Sequence, residues 1–487
     1  MDRSNFNNVL KGSPLRFLTE EEMEIIHSKS LEMLNEVGSV VQHEGAREML
    51  EKAGCRLGKK NLVYFPPALV EWAARQAPSH FHVYDRDGDL AMDMGGRNCY
   101  FGNGSDCPQY LDPETGERRP VTEKDMNDIA KLTDALPQLD FLMCGGLMYD
   151  YPVTSYEHQY AAMLRNSTKP AVVTAANRTS ISNITKMAVA VRGSLEELMK
   201  KPLFIMYNEP ISPLTHCFDA VDKLMYCAEN MLPTNYSPCM MPGGTGPITN
   251  AAAIIQCNCE CLAGMVIHQL TRPGAPIVFG GAAYNMDLKC MQPTYCSPEA
   301  QVNNIALAQM AREFYKVPSW GFTACSGGKV FDAQAYGEAI SYVFSIGFSG
   351  TNLNHDVGFM NYGLTYSTEL LVACNEAISQ VRRMFDGVVF DNDHLAMDVM
   401  KKVGPQGHFL GQVHTLKFNK EMWQPDLTDR MDTENWLAAG GTTFEERVKE
   451  RTLDLIKNYT PKPIPPEQDA IIQQVLDDAD KAAEQAE

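Results

Sequence analysis

The feature that most constrains the fold is an eightfold alternation of short apolar runs with amphipathic helical stretches, between residues 96 and 390. Parallel strands need a crossover connection, so strands that alternate with helices predict a parallel sheet. Eight such units over roughly 290 residues match an α/β (β/α)8, or TIM, barrel. The predicted strands are 99–104, 141–147, 171–176, 203–209, 234–241, 276–281, 319–324 and 350–356. Predicted helices follow them, among them 180–199, 213–230 and 365–385.

An open, doubly wound sheet is the rival architecture, and it usually carries a Gly-rich phosphate-binding turn after its first strand. The chain has no G-x-G-x-x-G sequence. The run Gly243-Gly244-Thr245-Gly246 is followed by Pro247 and has the wrong spacing, so it indicates a flexible connection after a strand rather than a dinucleotide cradle.

The flanking residues predict two further regions. Residues 1–95 read as an N-terminal α-rich cap, with a capping box at Thr19 and Glu22 and a hairpin that turns at Asp87-Gly88. The barrel is predicted to span residues 96–390. Residues 391–487 read as a C-terminal α-rich extension that packs on the barrel, with a helix at 443–458 and a proline-rich linker at 461–466.

The composition excludes several classes of protein. The 487 residues carry 42 basic and 61 acidic side chains, a net charge of −19, and no large basic cluster, which argues against a nucleic-acid partner. The 14 cysteines include no CxxC pair, and we interpret the group Cys257, Cys259 and Cys261 as small buried helix residues. The first residues show no secretory signal and no apolar run approaches ~20 residues, so the chain is expected to be cytoplasmic and not membrane-bound.

The active site of a (β/α)8 barrel lies where the strands end, and this rule selects a short list of residues. We predict that three of them do catalytic work: His355, Asp356 and Glu209. Seven more are expected to bind substrate: Phe101, Asn103, Tyr207, Phe279, Trp320, Phe322 and Phe359. Because neighbouring strand residues point to opposite faces, only one of His355 and Asp356 should face the mouth unless the strand ends between them. Likewise, about half of the aromatic residues should face inward.

This predicted mouth is aromatic and polar but poor in cations. Only Arg178, Lys289 and Lys329 are expected nearby, which argues against phosphorylated sugars. A quaternary ammonium suits aromatic rings, because its cation lies over ring faces at a gain of ~2 kcal/mol when desolvated.

Several stretches resemble the trimethylamine methyltransferase superfamily of corrinoid-dependent enzymes. They lie between residues 100 and 411 and are mostly loop and packing motifs. They include Tyr100-Phe101-Gly102, Asp112-Pro113-Glu114-Thr115-Gly116, Ile211-Ser212-Pro213-Leu214, Gly243-Gly244-Thr245-Gly246-Pro247, Arg272-Pro273-Gly274-Ala275-Pro276, Lys329-Val330-Phe331-Asp332 and Gly404-Pro405-Gln406-Gly407-His408-Phe409-Leu410-Gly411.

The resemblance implies a methyltransferase that demethylates a small methylated amine. Founding members of the family use pyrrolysine, whereas this chain has only standard residues and so resembles the members that act on glycine betaine, proline betaine or carnitine. A quaternary amine already carries its charge and needs no activating adduct. The methyl acceptor would be a corrinoid on a separate protein, because this chain lacks a D-x-H-x-x-G cobalamin motif. His355 is then expected to hold the substrate carboxylate. We expect no tightly bound cofactor and no metal, and we expect the chain to form a homo-oligomer.

Three alternatives remain open. A tertiary methylamine could be the substrate. A zinc-dependent methyltransferase would need Cys or His ligands at the mouth, where only Cys325 and His355 are available. The third alternative is a protein that binds a betaine without catalysis. It stays open because the proposed reaction requires no catalytic side chain whose presence in the sequence would identify an enzyme.

Overall fold

The computed structural model describes residues 8–11 and 14–485. It is an α/β fold whose centre is built from short parallel strands. One sheet has the order Ile277–Phe279, Thr234–Tyr236, Phe204–Met206 and Ala171–Val173. A second has the order Trp320–Phe322, Leu353–Val357 and Tyr100–Asn103. Isolated parallel bridges join Gly102 to Phe141, Leu142 to Ala171 and Phe279 to Ser319. Seven of the eight predicted runs therefore contain a strand, and residues 141–147 make only isolated bridges.

Helices lie between these strands, as the alternation predicts. They are Glu123–Ala135, Ser155–Asn166, Arg178–Arg192, Leu195–Lys200, Phe218–Glu229, Asn250–Thr271, Pro298–Gln309, Ala333–Ser349 and Thr368–Phe385. A π-helical turn, Met310–Tyr315, extends the helix that starts at Pro298. Short strands in the loops are Gln109–Leu111, Arg118–Pro120, Cys239–Met240, Ala282–Ala283, Met286–Asp287, Gln292–Pro293, Phe359–Met360 and Thr365–Ser367.

Three predicted helices have the wrong bounds. The helix predicted for 180–199 is two helices, because Gly193 at φ +88° ends the first and Ser194 caps the second. The helix predicted from Pro213 begins at Phe218, and the peptide bond between Ser212 and Pro213 is cis. The helix predicted from Thr365 begins at Thr368, because residues 365–367 form a strand beside Gln109–Leu111.

The N-terminal residues form the predicted helices and hairpin. Helix Glu20–Glu36 carries the capping box between Thr19 and Glu22, and Glu44–Lys52 and Pro67–Gln76 follow. Strands Phe81–Tyr84 and Leu90–Met94 pair as an antiparallel hairpin. Sequence periodicity did not show the small sheet of Ser39–Val41, Arg56–Leu57 and Leu62–Tyr64, which Thr215–His216 joins as a parallel edge strand.

The helix Asn250–Thr271 anchors the N-terminal helices. Within the described residues it is the one helix long and apolar enough to cross a bilayer, although the sequence predicted no such run, and 78% of its most apolar window is buried in the protein. The buried thiols of Cys257, Cys259 and Cys261 donate to backbone carbonyls of Ala282, Ser30 and Gly280. This confirms their interpretation as small buried helix residues.

The C-terminal residues form short helices and then two longer ones. The short ones are Asn392–Leu395, Met397–Val403, Val413–Phe418 and Thr433–Ala438. The longer ones are Phe444–Asn458, with Thr443 as its predicted N-cap, and Pro466–Glu484. Arg165 and His158 pair with Asp469 and Asp480, which fixes the last helix against Ser155–Asn166.

Candidate active site

A β-bulge places His355 and Asp356 together at the end of their strand. Strand pairing with Tyr100–Asn103 shifts register between Asn354 and Val357, and Asp356 lies at φ +81°, a conformation that L-residues rarely adopt. The bulge interrupts strand alternation, so both side chains come to one place: His355 Nδ1 lies 2.7 Å from Asp356 Oδ1. The two atoms do not have hydrogen-bond geometry, and neither has another partner in the described part of the chain. A strained residue of this kind favours a functional role.

Aromatic rings surround His355. The rings of Trp320 and Phe322 lie 4.4 Å from the imidazole, centroid to centroid, and that of Tyr207 lies at 5.9 Å. Trp320 and Phe322 share one face of their strand because they are two residues apart. Beyond Phe322, the ring of Tyr284 lies at 5.3 Å and stacks on Tyr295 at 3.9 Å. The structure therefore brings together Tyr207, Trp320, Phe322 and His355, which were all predicted.

Several polar atoms in and around this cluster are buried without a partner. They belong to Asn208, Ser237, Tyr284, Trp320, Thr323 and His355, and none of them has a hydrogen bond within the described residues. Each of these side chains is at most 3% exposed. A buried polar atom without a partner costs about 1–3 kcal/mol. Such a concentration indicates a site that a bound molecule or water completes.

Tyr207 connects this cluster to a cavity of about 280 Å³. The cavity is lined chiefly by Asp106, Tyr156, Thr174, Tyr207, Glu209 and Lys223. The Tyr207 hydroxyl donates to Glu209 Oε2 at 2.8 Å, so one tyrosine presents its ring to the cluster and fixes a carboxylate in the cavity. Asp106, at φ +61°, accepts from Thr174 Oγ1 and from the Cys144 thiol, both at 3.4 Å. The cavity thus holds two carboxylates beside aromatic rings.

The electrostatics of this cavity favour a cation. Glu209 has accessible surface but is enclosed by protein on most sides, and burial raises the pKa of its carboxyl, with a further increase from Asp106. Burial likewise raises the pKa of Asp106. Burial lowers the pKa of the Lys223 amine, which donates to the Ala175 carbonyl at 2.6 Å. A ligand with a fixed positive charge would relieve the cost of keeping the two carboxylates ionised.

The structure does not bring three predicted residues to this site. Phe101 and Phe279 point into the surrounding helix layer, toward Arg382 and Tyr315 respectively, because they occupy the outward face of their strands. The Asn103 amide binds the backbone of Met143 on the neighbouring segment, at 2.7 and 2.8 Å. These three side chains therefore lie outside the aromatic cluster and the cavity. Phe359 packs on Gly104 and, with Tyr295, flanks Gly363 near the aromatic cluster.

Sequence reasoning missed Asp106, Tyr156 and Lys223. Lys223 had a detectable signal, because it interrupts the apolar stripe of Ala220, Leu224 and Cys227 on helix Phe218–Glu229. Asp106 follows the first strand by three residues, and no spacing rule singles it out. Of the cations that were predicted nearby, Arg178 pairs with Asp222 and Glu229, and Lys329 lies over Tyr362. No group of three or more His, Cys, Asp or Glu side chains within the described residues could hold a metal ion.

Comparison with known proteins identifies the class. The family model described as trimethylamine methyltransferase (MTTB) matches residues 3–483. Trimethylamine methyltransferase MttB of Methanosarcina barkeri is 31% identical over 98% of this chain and 97% of its own length. MttB of Desulfitobacterium hafniense is 30% identical over 97% of this chain and 95% of its own. Glycine betaine methyltransferase of D. hafniense strain Y51 is 30% identical over 94% of this chain and 95% of its own length.

The chain belongs to the MTTB family of methyltransferases. The predicted family resemblance is therefore confirmed, and so is its prediction that the chain is a methyltransferase enzyme. The two kinds of relative differ in the substrate that their names print, a tertiary amine in one case and a betaine in the other.

Proposed function

We propose that this enzyme removes a methyl group from a small quaternary amine of the betaine type and transfers it to the Co(I) of a corrinoid on a separate protein. The observation that carries the proposal is the pair Tyr207 and Glu209, which offers an aromatic ring and a carboxylate at the wall of one cavity. Ring faces and carboxylates bind a cation, and the ring contact needs no proton on the nitrogen.

We further propose that the central strands form a (β/α)8 barrel. The parallel ladders and the three isolated bridges join the eight segments in cyclic order, from Tyr100–Asn103 through residues 141–142 and onward to Leu353–Val357, which pairs again with the first. Such a ring supports closure. It also explains why residues from the ends of several strands and their loops meet at one cavity.

A substrate carboxylate would need a donor, and two residues can supply one. His355 is the predicted donor, but it is only 3% exposed, its ring lies 5.9 Å from that of Tyr207 between centroids, and it does not line the cavity. Lys223 lines the cavity itself, and only one of its three N–H groups is used by the Ala175 carbonyl. We therefore assign the carboxylate to Lys223. His355 and Asp356 become positioning residues that support Tyr207 from behind.

The proposed reaction requires that the substrate be held in line with the methyl acceptor and that water be excluded from the site. The C–N bond breaks with its electron pair on nitrogen, the methyl carbon bonds to the nucleophilic acceptor, and a neutral tertiary amine leaves. No proton moves, so the chain needs no general acid or base. Tyr207 and Glu209 hold the ammonium, Lys223 holds the other end, and the buried rings of Trp320 and Phe322 exclude water.

The loops that follow the strands carry exposed apolar side chains on which the protein that bears the corrinoid can dock. Large apolar side chains are exposed on most of them: Tyr149, Val153, Ile211, Ile248, Leu288 and Leu364. Exposed apolar side chains ringed around a mouth are a surface on which another protein can dock. This surface supports a corrinoid protein that approaches the carboxyl ends of the strands.

The test is methylation of free Co(I) cobalamin by the full chain, followed by its absorbance, with five donors offered separately. They are glycine betaine, proline betaine, carnitine, tetramethylammonium and trimethylamine. We expect transfer from at least one betaine and much less from trimethylamine. Transfer from trimethylamine alone would instead support the tertiary-amine alternative. Calorimetric binding of betaines without any transfer would support the non-catalytic one. Activity that depends on stoichiometric zinc would support the zinc enzyme.

A further inference from the structure

Another cavity, of about 430 Å³, lies where three parts of the chain meet, and we name it the cationic cavity. The turn of the hairpin 81–94, the helices Arg178–Arg192 and Leu195–Lys200, and the linker 461–466 all contribute to its lining. Six charged side chains from the described part of the chain line it, four of them cationic: Arg86, Arg192, Lys201, Lys462, Asp87 and Glu197. Such a surplus of cations, in a chain whose net charge is −19, favours an anionic ligand.

The two carboxylates of the cationic cavity already have cationic partners. Lys462 Nζ lies 2.8 Å from Asp87 Oδ1, and Lys200 Nζ lies 3.0 Å from Glu197 Oε1. The other three cations have no ion pair within the described residues: Arg86, Arg192 and Lys201. The cavity therefore carries positive charge that no carboxylate of the chain neutralises.

The two guanidinium groups bind only backbone carbonyls. Arg86, which is 6% exposed, donates from Nη1 to Leu164 and from Nη2 to Lys462 and Pro463, and its Nε has no hydrogen bond within the described residues. Arg192 donates to the carbonyls of residues 84–86 and 201. Burial lowers the pKa of both groups. An anion in the cavity would offset this cost of burying a cation.

Gly88, in the hairpin turn, leaves open the space between two of these cations. It lies at φ +90°, and a Cβ at this position would be 3.7 Å from Lys201 Nζ and 4.0 Å from Arg192 Nη1. Lys201 uses one of its three N–H groups on the Gly88 carbonyl, at 2.9 Å. The ammonium and the guanidinium thus converge on one point with N–H groups to spare. Oxyanions are held by charge-assisted hydrogen bonds of this kind.

The size and the lining of the cationic cavity favour a phosphate group as the anion. Guanidinium groups match the geometry of phosphate oxygens, and a phosphate carries about two negative charges, which three unpaired cations can balance. No aromatic ring from the described residues lines the cavity, so nothing there stacks on a nucleobase. Its volume lies in the range of small-molecule sites, about 300–1,000 Å³. A nucleic acid would instead meet the acidic surface of the chain.

The cationic cavity is remote from the cavity that holds Glu209. Helix Arg178–Arg192 begins two residues after Ala176, which lines the Glu209 cavity, and its last residues line the cationic one. Its 15 residues span about 22 Å at 1.5 Å per residue. The two cavities therefore lie at opposite ends of one helix.

We propose that the cationic cavity binds a phosphate group, as free phosphate or on a small phosphorylated compound, through Arg86, Arg192 and Lys201. The bound group joins the hairpin, the two helices and the linker 461–466, and so stabilises the C-terminal residues against the centre of the fold. This proposal does not depend on the amine substrate or on methyl transfer.

The experiment is isothermal titration of the full chain with inorganic phosphate, pyrophosphate and glycerol phosphate, at constant ionic strength. We expect saturable binding of at least one of them, and Lys201→Met should weaken it about 10-fold through loss of a charge-assisted contact. The matched control, Lys186→Met, removes the same charge from an exposed position of helix Arg178–Arg192 outside the cavity. It should change affinity less than about twofold, because water screens it. Tighter binding of glycerol phosphate would identify a phosphorylated compound as the ligand, and tighter binding of either inorganic anion would identify the free anion.

A second measurement uses the natural chain alone and does not depend on a variant folding. Amide hydrogen exchange is compared in phosphate and in chloride at equal ionic strength. Binding should slow exchange in residues 84–89 and 461–468, which lie on two sides of the cavity. The proposal is overturned by the absence of saturable binding of all three anions, by equal loss of affinity in the two variants, or by protection in neither segment. The three cations would then serve only to hold backbone carbonyls.

Discussion

The cavity region and the segment 387–422 both place side chains in unfavourable surroundings, in opposite senses. The aromatic cluster buries polar atoms that have no partner, among them those of His355, and the adjoining cavity holds two carboxylates, Glu209 and Asp106, whose pKa values the surrounding protein raises. Residues 387–422 expose leucine, valine and phenylalanine side chains to water. Burying an unpaired polar group and exposing an apolar one both cost free energy. The comparison supports the proposed cationic ligand for the cavity and marks residues 387–422 as an exposed apolar surface.

The largest effect is expected from Glu209→Gln, which keeps the shape of the side chain and removes its charge. Affinity for a quaternary amine should fall about 100-fold, since a hydrogen bond or close contact to a charged group contributes ~1.5–3 kcal/mol. Isothermal titration with glycine betaine and tetramethylammonium measures it. The matched control, Asp219→Asn at the exposed rim of the cavity, should change affinity less than threefold because water screens it. If the two variants behave alike, the cavity acts only through net charge.

The second effect separates the two ends of the substrate. Lys223→Met should weaken glycine betaine about 10-fold and leave tetramethylammonium unchanged or slightly tighter, because only the betaine has a carboxylate. Competition binding with both ligands measures this split. His355→Ala is the comparison variant, and it should weaken both ligands alike through loss of support for Tyr207. A selective loss in His355→Ala, with Lys223→Met neutral, would reverse the two assignments.

A third, smaller effect concerns the ring of Tyr207. Tyr207→Leu should weaken every quaternary amine about 3- to 30-fold, since a cation over an aromatic face gains ~0.5–2 kcal/mol. Calorimetry on ligands with and without a carboxylate should show equal losses. Phe279→Leu is the control: its ring lies in the helix layer, so it should lower the free energy of unfolding without changing ligand affinity. Equal losses of affinity in both variants would mean that Tyr207 acts only through the fold.

The smallest effect is a pH dependence of binding. Burial raises the pKa of Glu209, so this carboxyl takes up a proton at a higher pH than an ordinary glutamate does. Affinity for a permanent cation should be full above this raised pKa and decline as the pH falls through it. The charged or titratable groups that face Glu209 are Asp106, Lys223, Tyr207 and His355. Glu209→Gln should flatten the profile, whereas Asp219→Asn, at the exposed rim of the cavity, should leave its shape unchanged.

Much of this arrangement could be predicted from the chain. Hydrophobic periodicity located the strands and helices because each apolar run must be buried by a neighbouring layer. The rule that strand ends carry the site then selected Tyr207, Glu209, Trp320, Phe322 and His355, which the structure places around one another. Strand alternation also predicted that only part of the aromatic set would face inward. Phe101 and Phe279 are the residues that do not.

The remaining features depended on geometry that spacing does not encode. The bulge at Asp356 reversed the expectation that His355 and Asp356 face opposite ways, because an extra residue breaks the two-residue period. Lys223 lies on a helix rather than at a strand end, and it reaches the cavity only because that helix packs there.

The amino-acid sequence by itself determined the family, the alternation of strands and helices and the residue types available for chemistry, because these depend on local order along the chain. Only the tertiary structure decided which residues meet. It placed Asp106, about a hundred residues earlier in the chain, and Lys223, on the following helix, around the same cavity as Glu209, and it left residues 387–422 outside the core. In the sequence, the apolar pattern of residues 387–422 looks like that of a packed helical segment. Whether such a segment is buried depends on what packs against it, and that is a property of the folded chain.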